Sequence, residues 1–556
     1  MKINVRTGKL PGSRELRVDA RHATVQYSRV RRALTTTLPV KAHKVIPGTH
    51  SLSSLLPIKR HRPLILSLVN VGVFSCKLSA TTADLFSTDQ DHMTVDILPD
   101  EALLEIFSFY LAEASDHIEP WLPIVHVCRR WRSIIFESPR RLDVRVLYTP
   151  KRQVKVMLDT WPNLPIHILC ATADGYKAWR WHGENNLIAA LEHTDRICQI
   201  QLDGPGSQLE GILLAMRKPF PALTGLDISS SDDTDLEAMA GLPEAFLGGC
   251  AQHLRSCKLW EVEFPGIWKL LLTANHLVTL ILWNIPHSMY ASPEEMVTYL
   301  STMPNLESLS IGFRSPQSLH NWRDQLNRLL SPLTRVVLPS LTNFEFQVES
   351  EYIEDFITRI DVPLLDNVDI TFFDQPIFDT PRLRDFLAPF QQFKAHSRGG
   401  VVFWDSSSSI EFELEPGSLS LGVLSEGSGR EVSSMAQLCG SSLHLPSALK
   451  RLDIREGSPQ VLGRRGEVEN TRWLDLLRPF TGLKDLHLGK RLALHYALAL
   501  QELSGERVTE LLPALQNLFI QGLRSSGPTW EALGLFAAAR QLSGLPVAVH
   551  SWDGQS

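Results

Sequence analysis

Residues 306–311 read LESLSI, a unit in which three apolar residues are separated by polar ones. Leu309 and Ile311 are two residues apart, so in a strand their side chains face the same side. Leu306 lies where the chain enters that strand. One such strand cannot bury its own apolar face, so the unit predicts neighbours of the same kind.

The L-x-x-L-x-L pattern recurs along the chain from about residue 190. Its first positions are 23 to 35 residues apart, except for one gap of 84 residues. Ten units begin at Ile197, Leu223, Leu254, Leu277, Leu306, Leu341, Leu365, Leu449, Leu483 and Leu515. Segments with helical apolar spacing lie between several units, at 293–301, 319–330, 352–360, 382–393 and 471–477. Strands that alternate with helices and stack in parallel bury their apolar rows as one core.

These units resemble leucine-rich repeats, but they depart from the family at one position. The family places Asn or Cys three residues after the last apolar position, where three units have Val262, Ile285 and Arg314. We therefore expect the asparagine ladder of regular repeats to be missing. The resemblance implies an α/β fold, an irregular solenoid with a parallel sheet on its concave face. A non-repeating α/β domain is the alternative, since its buried strands also give short apolar runs.

The gap of 84 residues holds a different pattern. Residues 410–414 and 419–421 alternate apolar and polar, with Pro416 and Gly417 between them. This predicts a β-hairpin insertion near 400–422, followed by a loop at 424–431. Outside the units we predict helices at 151–159 and 530–542 and strands at 164–169 and 546–549.

A second pattern precedes the repeats, in residues 96–148, which read DILPDEALLEIFSFYLAEASDHIEPWLPIVHVCRRWRSIIFESPRRLDVRVLY. Apolar residues recur at helical spacing around 98–110 and again around 124–136, so two amphipathic helices are predicted. Pro99 suits the first turn of the first helix, where its missing amide costs no hydrogen bond.

This stretch resembles the F-box, the short helical module that docks onto the Skp-type adaptor of cullin-based ubiquitin ligases. The first half of the family pattern is Leu-Pro, an acidic residue and Ile-Phe, matched by Leu98, Pro99, Glu101, Ile106 and Phe107. The second half is Val-Cys-basic-x-Trp-Arg, matched by Val127, Cys128, Arg129, Trp131 and Arg132. The family closes with Leu-Trp after Ser-Pro. Here Ser138-Pro139 is followed by Leu142 without the Trp, so the family's third helix lacks its usual signature.

The resemblance implies a substrate-recognition subunit of an SCF-type E3 ubiquitin ligase, similar to large fungal F-box proteins with degenerate repeats. Its partners would be the Skp-type adaptor with its cullin ligase, and an unknown protein target held by the repeats. It implies no catalytic residue and no cofactor. The implied adaptor-binding residues are Leu98, Pro99, Glu101, Leu103, Ile106, Phe107, Val127, Cys128, Trp131 and Arg132.

Charge is distributed unevenly along the chain. Residues 1–90 contain 15 Lys and Arg against 4 Asp and Glu, a net +11, so the rest of the chain carries −17 of the total of −6. An acidic body does not favour nucleic acid as a partner. We predict that residues 1–92 are a disordered basic region, with an organellar transit peptide as the alternative. The helical module then spans 93–150 and the repeat domain 151–556.

Three further features limit the functions that the chain can have. The apolar run at 64–76 is too short for a confident membrane span, so we expect no membrane partner. The seven Cys show no C-x-x-C pair, which argues against zinc and disulfides and favours the cytoplasm or nucleus. The 19 His and the carboxylates form no recognisable catalytic motif.

Two alternatives to the receptor remain. One is a repeat scaffold unconnected to ubiquitin, since the closing Leu-Trp is missing. The other is an enzyme with an unfamiliar site, for which a deep pocket with converging carboxylates or histidines would be needed. The Trp179-Arg180-Trp181 run could stack a base or a sugar, although such a pair is more often part of a core or an interface.

Overall fold

The structure is a computed structural model that describes residues 98–113, 119–149, 153–161, 163–170, 184–230, 245–264, 266–314, 335–375, 378, 380–388, 398–404, 406–413, 417–424, 430–441, 445–457, 469–503, 507–524 and 526–552. Four sequence predictions fall wholly or mostly outside them: the basic region 1–92, the Trp179-Arg180-Trp181 run, the helix at 319–330 and the loop at 424–431.

The strands within the described residues, numbered β1 to β18 in chain order, are Val146–Tyr148, Ile166–Cys170, Ile197–Gly204, Gly225–Ser230, Ser256–Trp260, Thr279–Ile285, Ser308–Phe313, Val336–Val337, Asn343–Val348, Ile360–Asp361, Asn367–Phe373, Arg398–Phe403, Ser407–Glu413, Ser418–Leu424, Arg451–Glu456, Asp485–Leu488, Asn517–Gln521 and Ala548–Trp552. Sixteen of them form one sheet in the order β1-β2-β3-β4-β5-β6-β7-β9-β11-β14-β13-β12-β15-β16-β17-β18. The short strands β8 and β10 pair separately and in parallel.

The described helices, numbered α1 to α16, are Asp100–Glu113, Leu122–Val125, Arg129–Glu137, Val154–Thr160, Glu184–Leu191, Gly206–Ala215, Ile267–Leu271, Pro293–Leu300, Ser350–Ile357, Pro381–Leu387, Glu431–Ser441, Leu445–Ala448, Asn470–Leu477, Ala493–Gln501, Arg507–Glu510 and Pro528–Leu542. Short 3₁₀ turns lie at Phe246–Gly249 and His287–Met289. None of these helices is both long and apolar enough to cross a membrane.

The ten predicted units lie in register in the sheet. The second apolar positions align from strand to strand, for example Cys257 with Leu280 and Leu280 with Leu309. Every second and third apolar position of the ten units is at most 2% exposed. The parallel rows therefore form a continuous core, and the predicted α/β fold, a short helical module followed by a sheet of the leucine-rich-repeat type, is confirmed.

Element boundaries follow the sequence predictions unevenly. The helices predicted at 293–301, 471–477 and 530–542 correspond to α8, α13 and α16. The helix predicted at 352–360 begins earlier and ends at Ile357, because Ile360 already pairs with Val336 as part of β10. An apolar residue that serves a strand satisfies helical spacing equally well, so periodicity does not separate the two.

The predicted hairpin at 400–422 is present and belongs to the sheet itself. β13 runs antiparallel between β12 and β14, whereas β14 pairs in parallel with β11 and β12 in parallel with β15. The insertion therefore bridges the two groups of parallel strands. The apolar rows continue through it, because Ile410 pairs with Leu421 on one side and with Val401 on the other.

Gly417 fixes the entry into β14, and we expect Gly417→Ala to be strongly destabilising. Its φ of +108° is a conformation that L side chains rarely adopt, and an added Cβ would overlap the carbonyl oxygen of Asp366. Strain and clash together should lower the free energy of unfolding by about 2 to 3 kcal/mol, measured by urea denaturation.

Gly249→Ala is the matched control for this prediction. Its φ is +71°, but nothing lies within 4 Å of an added Cβ. It should cost only the conformational strain, about 1 to 2 kcal/mol. Equal effects of the two substitutions would show that the Asp366 contact does not restrict Gly417.

The expected absence of asparagine at the third position after the last apolar residue has a structural counterpart. Val262 and Ile285, the last residue of β6, are each 3% exposed there, so aliphatic packing fills these two positions. Side-chain amides instead connect strand starts on the solvent side. Asn367 Nδ2 donates to Asn343 Oδ1 at 2.8 Å, and Asn517 Nδ2 donates to Asp485 Oδ1 at 2.7 Å.

Candidate functional site

The N-terminal helical module consists of α1, α2 and α3. The single helix predicted around 124–136 is wrong, since α2 ends at Val125 and α3 begins at Arg129. Cys128 adopts an extended backbone with φ −154°, and its Sγ accepts the amide of Trp131 at 3.5 Å as an N-cap. The break keeps the apolar residues in helical phase, so the sequence period does not reveal it.

Three predicted adaptor-binding residues form the core of this module. Leu103, Phe107 and Trp131 are 0%, 2% and 5% exposed. The rings of Phe107 and Trp131 meet edge to face with centroids 4.9 Å apart and planes at 62°. This contact joins α1 to α3, so these side chains determine the shape of the module.

The other seven predicted residues lie nearer the surface. Pro99, Glu101 and Arg132 are exposed, whereas Leu98, Ile106, Val127 and Cys128 are half-buried. Phe109, a large aromatic side chain that is 61% exposed on α1, is not among the residues predicted from the sequence. It lies off the apolar stripe of the helix, and a lone aromatic residue on the polar face gives no periodic signal.

Arg130 fastens the start of α1 to α3. Its Nη2 donates to the carbonyl oxygen of Leu98 and to Asp100 Oδ1, both at 2.6 Å, and its Nε donates to the same Oδ1 at 3.0 Å. The guanidinium thereby holds the Leu-Pro segment in place. Arg130 occupies the variable position of the family pattern, so the motif did not single it out.

We expect Arg130→Ala to loosen the start of α1 with little effect on overall stability. The pair with Asp100 is solvent-exposed and is worth about 1 kcal/mol or less. The amide of Leu103, which donates to the Pro99 carbonyl at 3.1 Å, should exchange its hydrogen about fivefold faster. Hydrogen exchange followed by mass spectrometry or NMR measures this.

Arg141→Ala is the matched control, since Arg141 pairs with Glu105 further along the same helix. It should leave the Leu103 amide unchanged. If the Leu103 amide exchanged equally fast in both variants, the contacts of Arg130 would not stabilise the Leu98–Asp100 segment.

The module is fixed to the first strands of the sheet by an aromatic cluster and two hydrogen bonds. The Trp121 ring lies 5.0 Å from that of Trp161 and 6.2 Å from that of Phe136, measured between centroids. Trp121 Nε1 donates to the carbonyl oxygen of Arg145 at 2.8 Å. The buried Glu119 accepts the amide of Leu147, on the edge strand β1, at 3.1 Å.

After Pro139 the chain makes turns and enters β1 without a further helix. Asp143 has a positive φ of 52°, and its carboxylate pairs with Arg145. The motif therefore lacks its closing Trp in the same segment in which the module leads directly into the sheet.

The thiols and histidines of the described residues form no group of three or more with carboxylates that could hold a metal ion. Burial raises the pKa of the thiols of Cys170, Cys257 and Cys439 to about 12. At neutral pH these thiols are protonated, and they pack as small apolar groups in the core.

Residues 95–143 match the F-box-like family model. No curated protein matches the sequence of this chain. One similar solved structure is the leucine-rich repeat-containing protein LegL7 from Legionella pneumophila, with TM-score 0.23 and 12% identity over 65% of this chain and 94% of that one. Another is the Rad7 and Elc1 complex in yeast, with TM-score 0.21 and 11% identity over 85% of this chain and 94% of that one.

The strand order and register of the chain itself establish its fold. The family match defines an F-box-like domain at residues 95–143, and the strand order defines the sheet of the leucine-rich-repeat type that follows it.

Proposed function

We propose that the protein is the substrate-recognition subunit of an SCF-type E3 ubiquitin ligase. The observation that carries this proposal is the F-box-like match at residues 95–143, on a module that is built into the first strand of a long repeat sheet. The module would bind the Skp-type adaptor, and the sheet would hold a target protein.

The adaptor would meet the exposed side of the module. Pro99, Glu101 and Arg132 are exposed, and Ile106 is half-buried beside the exposed ring of Phe109. An adaptor that covers this side would remove the ring of Phe109 and the exposed part of Ile106 from water. Leu103, Phe107 and Trp131 would contribute by holding α1 against α3, and their direct contact with the adaptor stays a prediction.

The proposed mechanism needs no chemistry from the chain itself. A receptor raises the effective concentration of a target lysine near the ubiquitin-charged enzyme. The gain depends on a defined distance between adaptor and target. Trp121, Trp161 and Glu119 connect the module to the first repeats, and a firm junction of this kind favours such a distance.

The remaining parts of the proposal come from the sequence alone. The cullin ligase as partner, the cytoplasmic or nuclear location, the absence of cofactors and nucleic acid and the likeness to fungal F-box families stay predictions. That the chain is not an enzyme also stays a prediction.

Co-purification with the adaptor tests the proposal. Tagged full-length chain should bring down the Skp-type adaptor, and Pro99→Ala combined with Ile106→Ala should reduce its recovery about tenfold. Trp530→Ala combined with Leu535→Ala, which truncates two exposed apolar residues on α16, is the matched control and should leave recovery unchanged.

The same experiment separates the receptor from the plain scaffold. A scaffold unconnected to ubiquitin would bring down partners of the sheet but no adaptor, and the double substitution at Pro99 and Ile106 would change nothing. Either result would contradict the receptor function.

A further inference from the structure

Two tryptophans stack on the solvent face of the sheet. Trp260 on β5 and Trp283 on β6 are directly opposite each other, with ring centroids 5.8 Å apart and planes at 10°. Both are half-buried, and the residues that alternate with them, Leu259 and Leu282, belong to the core. The rings therefore point away from the core. We call this pair the tryptophan shelf.

Side chains of the neighbouring strands β7 and β9 hold the shelf in place. Trp283 Nε1 donates to Ser310 Oγ at 2.6 Å, and Ser310 Oγ donates to Glu345 Oε2 at 2.8 Å. The six-membered part of the Trp283 ring occupies the space that a side chain at position 312 would fill, since an added Cβ on Gly312 would overlap it. Three neighbouring strands thus fix the orientation of one ring.

The surroundings of the shelf are acidic. The solvent-facing positions of β3 to β7, β9 and β11 include four carboxylates and one amine, a net charge of −3, on Asp203, Asp227, Glu345, Asp369 and Lys258. Just beyond the strand ends, Glu261 follows Trp260 and accepts a hydrogen bond from Asn284, while Arg255 precedes β5 and Arg314 follows β7. Basic residues of the sheet are concentrated elsewhere, on β12 and β15, as Arg398, Arg451 and Arg455.

We propose that the tryptophan shelf binds an arginine-containing basic segment of the target protein, with a guanidinium stacked on the indole rings. This rests on the proposed receptor function, because it assigns the target-binding surface and the chemistry of its ligand. Cations are attracted to the faces of indole rings, and arginine stacks on them better than lysine because its cationic group is planar.

The position of the carboxylates supports a cation as the ligand. On the row of Trp260, the next strand has the small residue Ser229, and the strand beyond has Asp203, about 10 Å away at ordinary strand spacing. Ser229 is 9% exposed and Asp203 Oδ1 is buried, so the carboxylates would act on a guanidinium stacked on the rings through the charge of this face, without direct contact. Phosphate groups would be repelled by the same charges, which disfavours nucleic acid on this face.

Binding of a defined peptide to the full-length chain tests the proposal. The probe is a fluorescent peptide of alternating arginine and glycine, compared with peptides in which lysine or glutamine replaces arginine. Fluorescence anisotropy should show that the arginine peptide binds most tightly. The glutamine peptide should have a dissociation constant at least about tenfold higher. Binding should weaken at high salt.

Substitutions then locate the site. Trp260→Ala and Trp283→Ala should each weaken binding of the arginine peptide about fivefold or more. Gly312→Val should do the same with both rings retained, because it displaces Trp283. Glu345→Gln keeps an acceptor for Ser310 but loses the charge, and a smaller loss is expected. Trp530→Ala, an exposed tryptophan on α16, is the control and should bind normally.

Several outcomes would overturn the proposal. These are equal binding of the glutamine and arginine peptides, no saturable binding of any peptide, or equal losses from Trp530→Ala and Trp283→Ala. A dimer in sedimentation analysis that Trp283→Ala dissociates would assign the shelf to a second copy instead. Circular dichroism checks that each variant is folded. Adaptor co-purification should survive Trp283→Ala, so failure of the shelf and failure of the receptor function are distinguishable.

Discussion

Trp131→Ala is expected to lower the free energy of unfolding of the helical module by about 3 to 5 kcal/mol, the usual cost of truncating a buried aromatic side chain. Trp131 is 5% exposed and packs edge to face against Phe107, which is 2% exposed. This pair joins α1 to α3. Its loss leaves a cavity between the two helices.

Hydrogen exchange of α1 and α3 during urea titration measures the effect, because it resolves the module from the sheet. Adaptor binding should be lost together with the protection. Phe109→Ala is the matched control for stability alone, since this ring is 61% exposed on the same helix and lies on the side proposed to meet the adaptor. It should change stability by about 0.5 kcal/mol or less. If Trp131→Ala left the module as protected as Phe109→Ala does, the packing described for the module would be wrong.

Trp121→Ala is expected to have a comparable cost, about 3 to 5 kcal/mol, but at the junction between module and sheet. Trp121 is 2% exposed and contacts both Phe136 and Trp161. Its truncation also leaves the carbonyl of Arg145 without the indole donor. The module should then move more freely relative to β1.

Trp121→Phe separates the two contributions. It retains an aromatic ring but removes the Nε1 donor, so about 1 to 2 kcal/mol should be lost. The Leu147 amide donates a hydrogen bond to Glu119. Its hydrogen exchange therefore reports on the junction in both variants. An unchanged Leu147 amide in Trp121→Ala would show that the module and the sheet are not coupled through this cluster.

The repeat core could be predicted from the sequence because its physical requirement is local and recurs. A parallel strand buried on one face needs apolar side chains two residues apart, and ten units supply them in register, as Leu309 and Ile311 show. The hairpin at 407–424 was visible for the same reason. Its membership in the main sheet was not, since strand order depends on contacts far apart in the chain.

The candidate site was predicted less completely. The motif identified Leu98, Pro99 and Trp131, but it did not identify Arg130, whose contacts with Leu98 and Asp100 span about thirty residues of sequence and carry no local signal. The break at Cys128 was missed because the apolar phase continues across it. The junction residue Glu119 was missed because one acidic residue in a linker gives no pattern.

The tryptophan shelf shows a further limit of the sequence. Trp260 and Trp283 are separated by 23 positions and become neighbours only when β5 and β6 pair in register. Gly312 leaves room for the Trp283 ring, although a glycine within a strand more often indicates a bulge. The apolar pattern of the sequence identifies the buried rows. Which exposed residues become neighbours depends on the fold and cannot be read from that pattern.

Hydrogen exchange of the full-length chain with and without the purified Skp-type adaptor tests the central claim most directly. We expect a stable complex in which added protection is confined to α1, α2 and α3. The protection should be strongest from Leu98 to Phe109, and the sheet from β3 onward should be unchanged. Absence of a complex, or protection that falls on the repeat strands and spares the helical module, would contradict it.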